Sequence, residues 1–512
     1  MSEKWKEESS FLISQWSNED PTVNVEYPHP SKTNSDHYCW YDLNEEWNGL
    51  EYPKAAPTSH PDRTFKYGVT GYVKLPFAVS SDHPCEGLSK RPKHQLVHEA
   101  LRSFSNGIRD LRHLESGINS YAKSIELKTL NRIFENNDAD YNSEILRLIE
   151  KIASLALRSD TIISTPLPHI LNSGTRTKSV SMSQEQAACL LAYAFFVAFE
   201  WPGRGFNPFN FRIFHVRGNP MSMTKMQFIL NYFRIVTSKM PTGTLTFSRQ
   251  VNKSESYNNT NEWTNLKHPL SPLFVTDQGL IEEMDGCLQV DFANRYIGGA
   301  VLRYGAVQEE IRFLCCPEMI VSILLLDKMD KLEAIVIQGA LQYSSYTGYG
   351  RTLKWKAHAM SDEVPRDIYG RARSYLVAID AIRFTQPNLQ YNDDAIEREV
   401  EKAFAGFMTI HRASSLRPIA TGNWGCGVYN GDKELKSLLQ LIAASRSGRS
   451  MIYLTFNETM FAKNLEEIYD RLKEADIRTG LLYKWLKSYG RDTGLKNTLF
   501  EYIHSKLNER AF

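Results

Sequence analysis

The chain has 512 residues, of which 42% are hydrophobic and 23% charged, and its 60 basic and 59 acidic residues leave a formal net charge of +1. The length predicts roughly three domains. The composition is typical of a globular protein and excludes a chain that is disordered throughout. The charge balance excludes nucleic-acid binding through an overall basic field, but it does not exclude a local basic groove.

The cysteines indicate a reducing compartment. The seven residues form no Cys-x-x-Cys pair, their number is odd, and Cys315 and Cys316 are adjacent, which argues against both a disulfide framework and a zinc site. The N-terminus is polar and carries no signal peptide, and the most apolar stretch, 187–199, is shorter than the ~20 residues needed to cross a bilayer. We therefore expect an intracellular protein, nuclear or cytoplasmic, without membrane contact.

Four regions follow one another along the chain. Residues 1–90 are polar and predict a loosely ordered tail whose aromatic side chains dock onto the body, among them Trp5, Trp16, Trp40 and Trp47. Residues 91–250 have a helical period, with a possible N-cap at Ser143, and predict an all-helical accessory domain. Residues 251–470 alternate strands and helices, and 471–512 predict a helical extension.

The third region predicts an α/β unit with a mostly parallel sheet. The predicted strands are 287–293, 334–338, 375–384, 418–421 and 451–456, and the predicted helices are 317–326, 393–407 and 432–445. Because ligands bind beyond the carboxyl ends of strands in open α/β sheets, glycine-rich strand-to-helix junctions are the candidate sites.

The first junction, 290–312, reads VDFANRYIGGAVLRYGAVQEEIR. Glycine amides that lead into a helix N-terminus suit an anion, and glutamates beside it could work on a neighbouring bond. Successive helical side chains diverge by ~100°, so the two glutamates would have different tasks. Taken alone, the glycine pair is also typical of a turn and the glutamate pair of a solvated helix start.

The second junction, 420–432, reads ATGNWGCGVYNGD and leads into a helix with Asp432 as N-cap. Two glycine-rich loops at sheet ends favour a bound diphosphate, whereas a plain linker is the alternative for this loop. Between the junctions, Tyr343, Tyr346 and Tyr349 could stack on a base or sugar or belong to the core. Motifs of nucleotide triphosphatases, dinucleotide oxidoreductases and metal hydrolases are absent from the sequence.

These segments resemble the poly(ADP-ribose) glycohydrolase family, in which a run of three glycines is followed by Gln-Glu-Glu. Supporting segments occur in the family's order at 182–186 (MSQEQ), 241–250 (PTGTLTFSRQ), 342–349 (QYSSYTGY), 420–432 and 452–456 (IYLTF). The resemblance covers roughly residues 90–480. It implies an α/β fold with a macrodomain-like mixed sheet flanked by helices, and an N-terminal all-helical accessory domain.

The resemblance also implies the site residues. Glu310 corresponds to the catalytic acid/base, and residues that position or contact the terminal ribose are Gln308, Glu309, Asp291, Asn294 and Tyr429, the last replacing a common Phe. Residues around the diphosphate are Gly298, Gly299, Asn423, Gly425, Cys426 and Gly427. Those on the adenosine side are Tyr349, Phe456 and Glu282, whose spacing to Asp291 differs slightly from the family's.

One departure concerns the glycine run, whose third position is Ala300. An alanine forced to a positive φ costs on the order of 1 kcal/mol or more. Arg303 and Tyr304 are also bulkier than the small residues usual there. The loop could therefore differ in shape and alter activity or substrate preference, although Gln308, Glu309 and Glu310 are retained.

The implied reaction is hydrolysis of the ribose–ribose O-glycosidic bond of poly(ADP-ribose), mainly from chain ends. Glu310, with a pKa raised by burial or by Glu309, would protonate the leaving oxygen and then activate water. No metal or cofactor is expected, and the partners are poly(ADP-ribose) and proteins that carry it, acted on by a monomer. Alternatives are a non-catalytic ADP-ribose reader and an interaction protein with a decayed macrodomain that recruits partners through its tail.

Overall fold

The computed structural model of the protein describes residues 36–41, 71–78, 91–172, 177–252, 262–360, 364–408 and 416–510. Most of the predicted tail, including Trp5, Trp16 and Trp47, lies outside the described residues.

The described strands are, in chain order, β1 His37–Cys39, β2 Lys178–Ser183, β3 Thr244–Val251, β4 Leu273–Thr276, β5 Leu288–Ala293, β6 Glu333–Gly339, β7 Ser344–Thr347, β8 Lys354–Ala357, β9 Ala372–Asp380, β10 Ile419–Gly422 and β11 Met451–Leu454. Nine of them form one sheet in the order β1-β2-β3-β6-β9-β5-β10-β11-β4, and β7 and β8 form a separate hairpin. The run β9-β5-β10-β11-β4 is parallel, whereas β3 and β6 pair antiparallel with both of their neighbours. The sheet is therefore mixed, and its parallel half carries both glycine-rich junctions.

The described α-helices are α1 Lys93–Ser105, α2 Leu111–Asn119, α3 Lys128–Glu135, α4 Ala139–Leu157, α5 Ser159–Ile162, α6 Gln184–Phe195, α7 Arg212–Val216, α8 Pro220–Ser238, α9 Gln308–Cys315, α10 Ser322–Leu325, α11 Asp393–Phe407, α12 Lys433–Ser447, α13 Thr459–Glu474, α14 Thr479–Thr493 and α15 Leu499–Arg510. No helix within the described ranges combines the length and the apolar character needed to cross a membrane. The helices α1 to α8 form the N-terminal helical region.

Residues 91–250 are not helical throughout, because β2 and β3 come from this range and enter the large sheet. Both strands are buried along almost their whole length, so neither shows the polar/apolar alternation that marks a half-exposed strand. The helical region also shares a core with the sheet. Ile335 and Ile337 of β6 pack with the N-terminal helices, while Ala334 and Val336 on the other face pack with α11 and α12.

Two helix starts can be compared with their predicted N-caps. Helix α4 begins five residues earlier than the sequence predicted, because the Asp138 carboxylate accepts a 2.8 Å hydrogen bond from the amide of Tyr141 and caps the helix there. Ser143 lies inside the helix instead. Asp432 caps α12 as predicted, with a 2.8 Å bond from the amide of Leu435.

Trp40 ties the described part of the N-terminal segment to the body. Its side chain is fully buried, its indole Nε1 donates to the Thr165 carbonyl at 2.9 Å, and its own carbonyl accepts from the Gln186 side chain at 2.7 Å. The neighbouring β1 pairs in parallel with β2 at the edge of the sheet. This tryptophan therefore docks onto the body, as the sequence predicted.

We expect Trp40→Ala to lower the free energy of unfolding by about 3–5 kcal/mol, because it removes a large, fully buried side chain and leaves a cavity. Calorimetric or denaturant unfolding measures the change. Trp201→Ala is the matched control, since 56% of that side chain is exposed. Equal losses in the two variants would contradict the structural role of Trp40.

Candidate active site

A cavity of about 1420 Å³ opens beyond the carboxyl ends of β5, β10 and β11. All but two of the predicted site residues line it. The predicted residues that line the cavity are Glu282, Asn294, Gly299, Gln308, Glu309, Glu310, Tyr349, Asn423, Gly425, Cys426, Gly427, Tyr429 and Phe456. Parallel pairing explains the convergence, because adjacent parallel strands bring their carboxyl ends to one edge of the sheet.

Asp291 and Gly298 are the two predicted residues that do not line the cavity. Asp291 is fully buried in β5, among the charges of Glu309, Glu310 and Arg312. Gly298 is covered by the core: a Cβ there would lie 2.7 Å from Cδ1 of Ile323, and its φ is +79°. Both residues therefore lie behind the cavity lining, and their roles toward a ligand stay predictions.

The Glu309 carboxylate is held by the backbone of the first junction. It accepts a 2.8 Å hydrogen bond from the amide of Asn294 and a 2.7 Å bond from the amide of Gly298, and only 3% of the residue is exposed. Backbone amides placed in this way fix both oxygen atoms of the side chain.

Glu310 is held in the same manner, one position further along α9. Its carboxylate accepts from the amide of Ala300 at 2.9 Å and from the amide of Val307 at 3.0 Å. Gly299 makes room for both glutamates, since a Cβ there would lie 2.5 Å from an oxygen of each, and its φ is +52°. A glycine is required at this position on both counts.

Gln308 and Asn294 are fixed by further hydrogen bonds. Gln308 accepts from the amide of Phe292 at 2.9 Å and donates to the carbonyl of Val290 at 3.1 Å, which fixes its side chain on the backbone of β5. Asn294 donates to the hydroxyl of Tyr429 at 2.9 Å and thereby joins the first junction to the second. Both side chains line the cavity beside the glutamates.

Burial and mutual repulsion raise the pKa values of two of the clustered carboxyl groups. The pKa of Asp291 is raised well above its ordinary value, first by burial and then by the charge of Glu310, against the opposing charge of Arg312. The pKa of Glu309 is raised likewise by burial and by its two acidic neighbours, although the amides of Asn294 and Gly298 oppose the rise. Asp291 and Glu309 therefore retain their protons to a higher pH than exposed carboxyl groups do.

The two glycine-rich loops have different tasks. In the first, the amides of Gly298, Gly299, Ala300 and Val301 are all used within the protein, by Glu309, Tyr296, Glu310 and Gly298. They are not available to an anion, contrary to the sequence-based expectation. In the second loop, the amides of Gly425, Gly427 and Val428 donate to no acceptor in the described part of the chain. The second loop therefore has amide donors that are available to an anion.

A buried anchor supports the second loop. Trp424 is fully buried and donates from its indole to the Ile379 carbonyl at 2.9 Å. The Lys436 ammonium lies 4.0 Å from the indole ring centroid and pairs with Glu399. Burial lowers the pKa of Lys436 well below its ordinary value. Gly425 packs against this lysine, with only 3.2 Å between a hypothetical Cβ and Nζ, so the loop rests directly on the buried amine.

An aromatic and acidic patch forms another part of the cavity. Tyr346 donates to Glu282 at 2.8 Å, and the Phe456 ring meets Phe292 edge-on with centroids 6.5 Å apart. Phe456 has φ +54° and Asn457 has φ +68°, so two non-glycine residues in succession adopt the left-handed conformation. Such strain is common where a ligand contact fixes the backbone. By contrast, Tyr343 is a core residue that donates to buried Glu318.

Two models of known protein families match this chain. Residues 260–463 match the model of the poly(ADP-ribose) glycohydrolase macrodomain fold, and residues 136–249 match the model of the helical domain of the same enzymes. A Caenorhabditis elegans relative named poly(ADP-ribose) glycohydrolase 2 is 32% identical over 430 residues, which cover 81% of this chain and 86% of the relative. The chain belongs to the poly(ADP-ribose) glycohydrolase family.

Two other relatives support the assignment. Poly(ADP-ribose) glycohydrolase 1 of Caenorhabditis elegans is 37% identical over 70% of this chain, which spans about half, 46%, of that relative's length. An Arabidopsis thaliana protein named probable poly(ADP-ribose) glycohydrolase 2 is 34% identical, over 64% of this chain and 73% of its own length. The predicted family and the macrodomain fold with a helical N-terminal domain are thus confirmed.

Ala300 replaces the third glycine of the family's run without backbone strain. Its φ is not positive, unlike those of Gly298 and Gly299. The conformational energy that a left-handed alanine would cost therefore does not arise. Its amide is available to hold Glu310 in the way a glycine amide would be. The substitution does not disturb the glutamates.

The helical domain contributes two residues that sequence reasoning missed. Asn207 lines the cavity and donates to the carbonyl of Gly299 at 3.1 Å. Lys225 of α8 is fully buried and donates to the carbonyls of Val301 at 2.7 Å and Arg303 at 3.1 Å. Burial lowers the pKa of this lysine to about 7, against the negative charge of Glu310. Lys225 lies on the apolar stripe of α8, four residues before Ile229, and a lysine in such a position could have indicated a buried functional contact.

Groups of three or more side chains able to hold a metal ion do not occur among the described residues. Cys426 lines the cavity, but burial raises the pKa of its thiol, which therefore stays protonated and is a poor nucleophile or metal ligand.

We expect Asp291→Asn to change the pH dependence of stability. The folded-state pKa of Asp291 is raised, so the wild type loses free energy of unfolding as pH climbs from about 4 through that pKa, and the variant escapes this loss. The difference, variant minus wild type, should therefore grow with pH. Denaturant unfolding at a series of pH values measures it. Asp470→Asn at an exposed site of α13 is the control, and a pH-independent difference for Asp291→Asn would contradict the assignment.

Proposed function

We propose that this chain hydrolyses the ribose–ribose O-glycosidic bonds of poly(ADP-ribose) and releases ADP-ribose from chain ends. The observation that carries the proposal is that one cavity holds both the paired glutamates of α9 and an unoccupied set of amides in the second glycine-rich loop. In ADP-ribose units the ribose that carries the glycosidic bond is attached to the diphosphate. A cavity that places a carboxyl group beside amide donors for an anion therefore suits cleavage of this bond.

The cavity supports one arrangement of the terminal ADP-ribose unit. Its diphosphate accepts hydrogen bonds from the amides of Gly425, Gly427 and Val428, near the N-terminus of α12. Its adenine stacks on Phe456 and meets Glu282, and its terminal ribose lies between Asn294, Tyr429 and the glutamates. Together these groups recognise the base, the diphosphate and the sugar.

The reaction then follows from the placement of Glu310. In its acid form this residue donates a proton to the oxygen that leaves, while the bond from that oxygen to the ribose anomeric carbon breaks with both electrons going to the oxygen. The oxocarbenium-like ribose is stabilised by the nearby diphosphate. Glu310, now a carboxylate, takes a proton from a water molecule whose oxygen bonds to the anomeric carbon. Glu309, fixed by two amides, positions the ribose and does not exchange the proton.

The wider setting is part of the same proposal. The substrates are proteins that carry poly(ADP-ribose), in the nucleus, the cytoplasm or both, and the bond to the modified protein is left largely untouched. One chain acts alone, because a single chain supplies the glutamates, the amides of the second loop and the aromatic patch. Neither a metal nor a cofactor enters the proposed steps.

We expect Glu310→Gln to lower the release of ADP-ribose by about 10²- to 10⁴-fold, the usual contribution of a positioned general acid/base. The glutamine side chain keeps the size of the carboxyl group but can accept only one of the two amide hydrogen bonds that Glu310 receives. Binding of ADP-ribose should nevertheless remain, because the amides of the second loop and the Phe456 ring are unchanged. Chromatography of the ADP-ribose released from purified poly(ADP-ribose) measures the rate, and calorimetry measures the binding of ADP-ribose.

Glu466→Gln, which removes a carboxylate from the exposed side of α13, should keep full activity. An active Glu310→Gln enzyme would show that another group is the acid. An inert wild type that still binds ADP-ribose would instead favour the reader function, and loss of binding as well would favour an interaction protein.

We expect Phe456→Ala to weaken ADP-ribose binding by about tenfold, because stacking of a base on an aromatic ring contributes roughly 1–3 kcal/mol. Titration calorimetry with ADP-ribose measures the loss. Binding of ribose 5-phosphate, which lacks the base, should change little. Met460→Ala, at a residue that is 68% exposed and does not line the cavity, is the control. Equal affinity of wild type and Phe456→Ala would place the adenine elsewhere.

A further inference from the structure

Three exposed residues lie where the first glycine-rich loop, which we call the catalytic loop, meets the helical domain: Arg303 and Tyr304 of the loop, and Arg217, which directly follows α7. The Arg217 guanidinium carbon lies 5.0 Å from the centroid of the Tyr304 ring, and 53% of Tyr304 remains exposed. Arg303 lines the cavity. We call these three residues the rim cluster.

The rim cluster adjoins the Glu310 carboxyl group. Gly305, the next residue after Tyr304, lies so close that a Cβ there would be 2.5 Å from the carboxyl carbon of Glu310. The loop is also held in place, because Lys225 donates to the carbonyls of Val301 and Arg303. A group attached to the oxygen that Glu310 protonates therefore leaves the cavity beside the rim cluster.

The chemistry of the polymer says what that group is. Each unit of poly(ADP-ribose) is joined through its terminal ribose to the 2′-oxygen of the adenosine ribose of the next unit. The leaving oxygen thus belongs to a sugar that carries an adenine and, through its 5′ position, a diphosphate. We propose that the rim cluster binds the adenine and diphosphate of this leaving unit, an inference that rests on the proposed function.

Charge complementarity favours an anionic ligand at Arg303. The cavity lining has two cationic side chains, Arg303 and Lys433. Lys433 already pairs with Glu458, whereas Arg303 has no carboxylate partner among the described residues. An arginine without a partner at the edge of a cavity that otherwise carries glutamates is suited to phosphate oxygens, which its planar guanidinium can bind through two parallel hydrogen bonds.

The Tyr304–Arg217 pair suits the base. An adenine can stack on the exposed part of the ring, and the guanidinium beside the ring adds a cation–π contact. Stacking of this kind needs no hydrogen-bond pattern, so it tolerates the different orientations of a flexible polymer. A subsite of this kind favours oligomers over the single ADP-ribose unit.

The test measures binding separately from hydrolysis. In the Glu310→Gln background, dissociation constants are determined by calorimetry for ADP-ribose and for a purified three-unit poly(ADP-ribose). We expect the oligomer to bind about tenfold more tightly than ADP-ribose, and Arg303→Gln with Tyr304→Leu to remove that gain while leaving the affinity for ADP-ribose unchanged. In the active enzyme, the same two substitutions should raise KM for free polymer by a similar factor with little effect on kcat.

Arg491→Gln is the matched control, since it removes one exposed arginine from α14 without touching the cavity lining. Equal oligomer affinity with and without the two substitutions would overturn the inference. A loss of ADP-ribose affinity in the doubly substituted protein would also overturn it, because the rim cluster would then belong to the pocket of the terminal unit. A defect confined to polymer that is attached to protein would overturn it as well, because the ligand of the rim cluster would then be the protein. A wild type that binds oligomers but releases nothing would refute the proposed hydrolysis alone.

Discussion

Backbone amides that hold two buried carboxyl groups are the constraint on which the rest of the site depends. Glu309 and Glu310 each accept two amide hydrogen bonds, and those amides come from the loop between β5 and α9. Because charged groups are costly to bury without such partners, the loop can take only a narrow range of shapes. The left-handed glycines of this loop follow from that requirement.

The helical domain completes this arrangement from the opposite side. Lys225 and Asn207 bind carbonyl groups of the same loop, whose amides are committed to the glutamates. The loop is therefore fixed through both its donors and its acceptors, and the two domains share one continuous apolar core. The helical domain therefore contributes directly to the cavity, through Asn207, and to the loop that holds the glutamates.

The division of labour between the two glycine-rich loops has the same origin. The first loop has used its amides on carboxyl groups of the protein, so it cannot also bind the anion of a ligand. The second loop rests on Trp424 and buried Lys436, and its amides at Gly425, Gly427 and Val428 stay available. One loop thus holds the two glutamates, and the other keeps amides available at the cavity.

The sequence by itself determined the family and the α/β core, and all but two of the site residues that it predicted line the cavity, because catalytic motifs and strand–helix alternation are local in the chain. The tertiary structure decided what depends on contacts between distant segments. It placed β2 and β3 in the sheet, moved Asp291 and Gly298 behind the site, and brought Lys225 and Asn207 to the catalytic loop. A buried strand or a buried lysine has no periodic signature that marks its partner, since the partner is supplied by packing and not by its neighbours in the sequence.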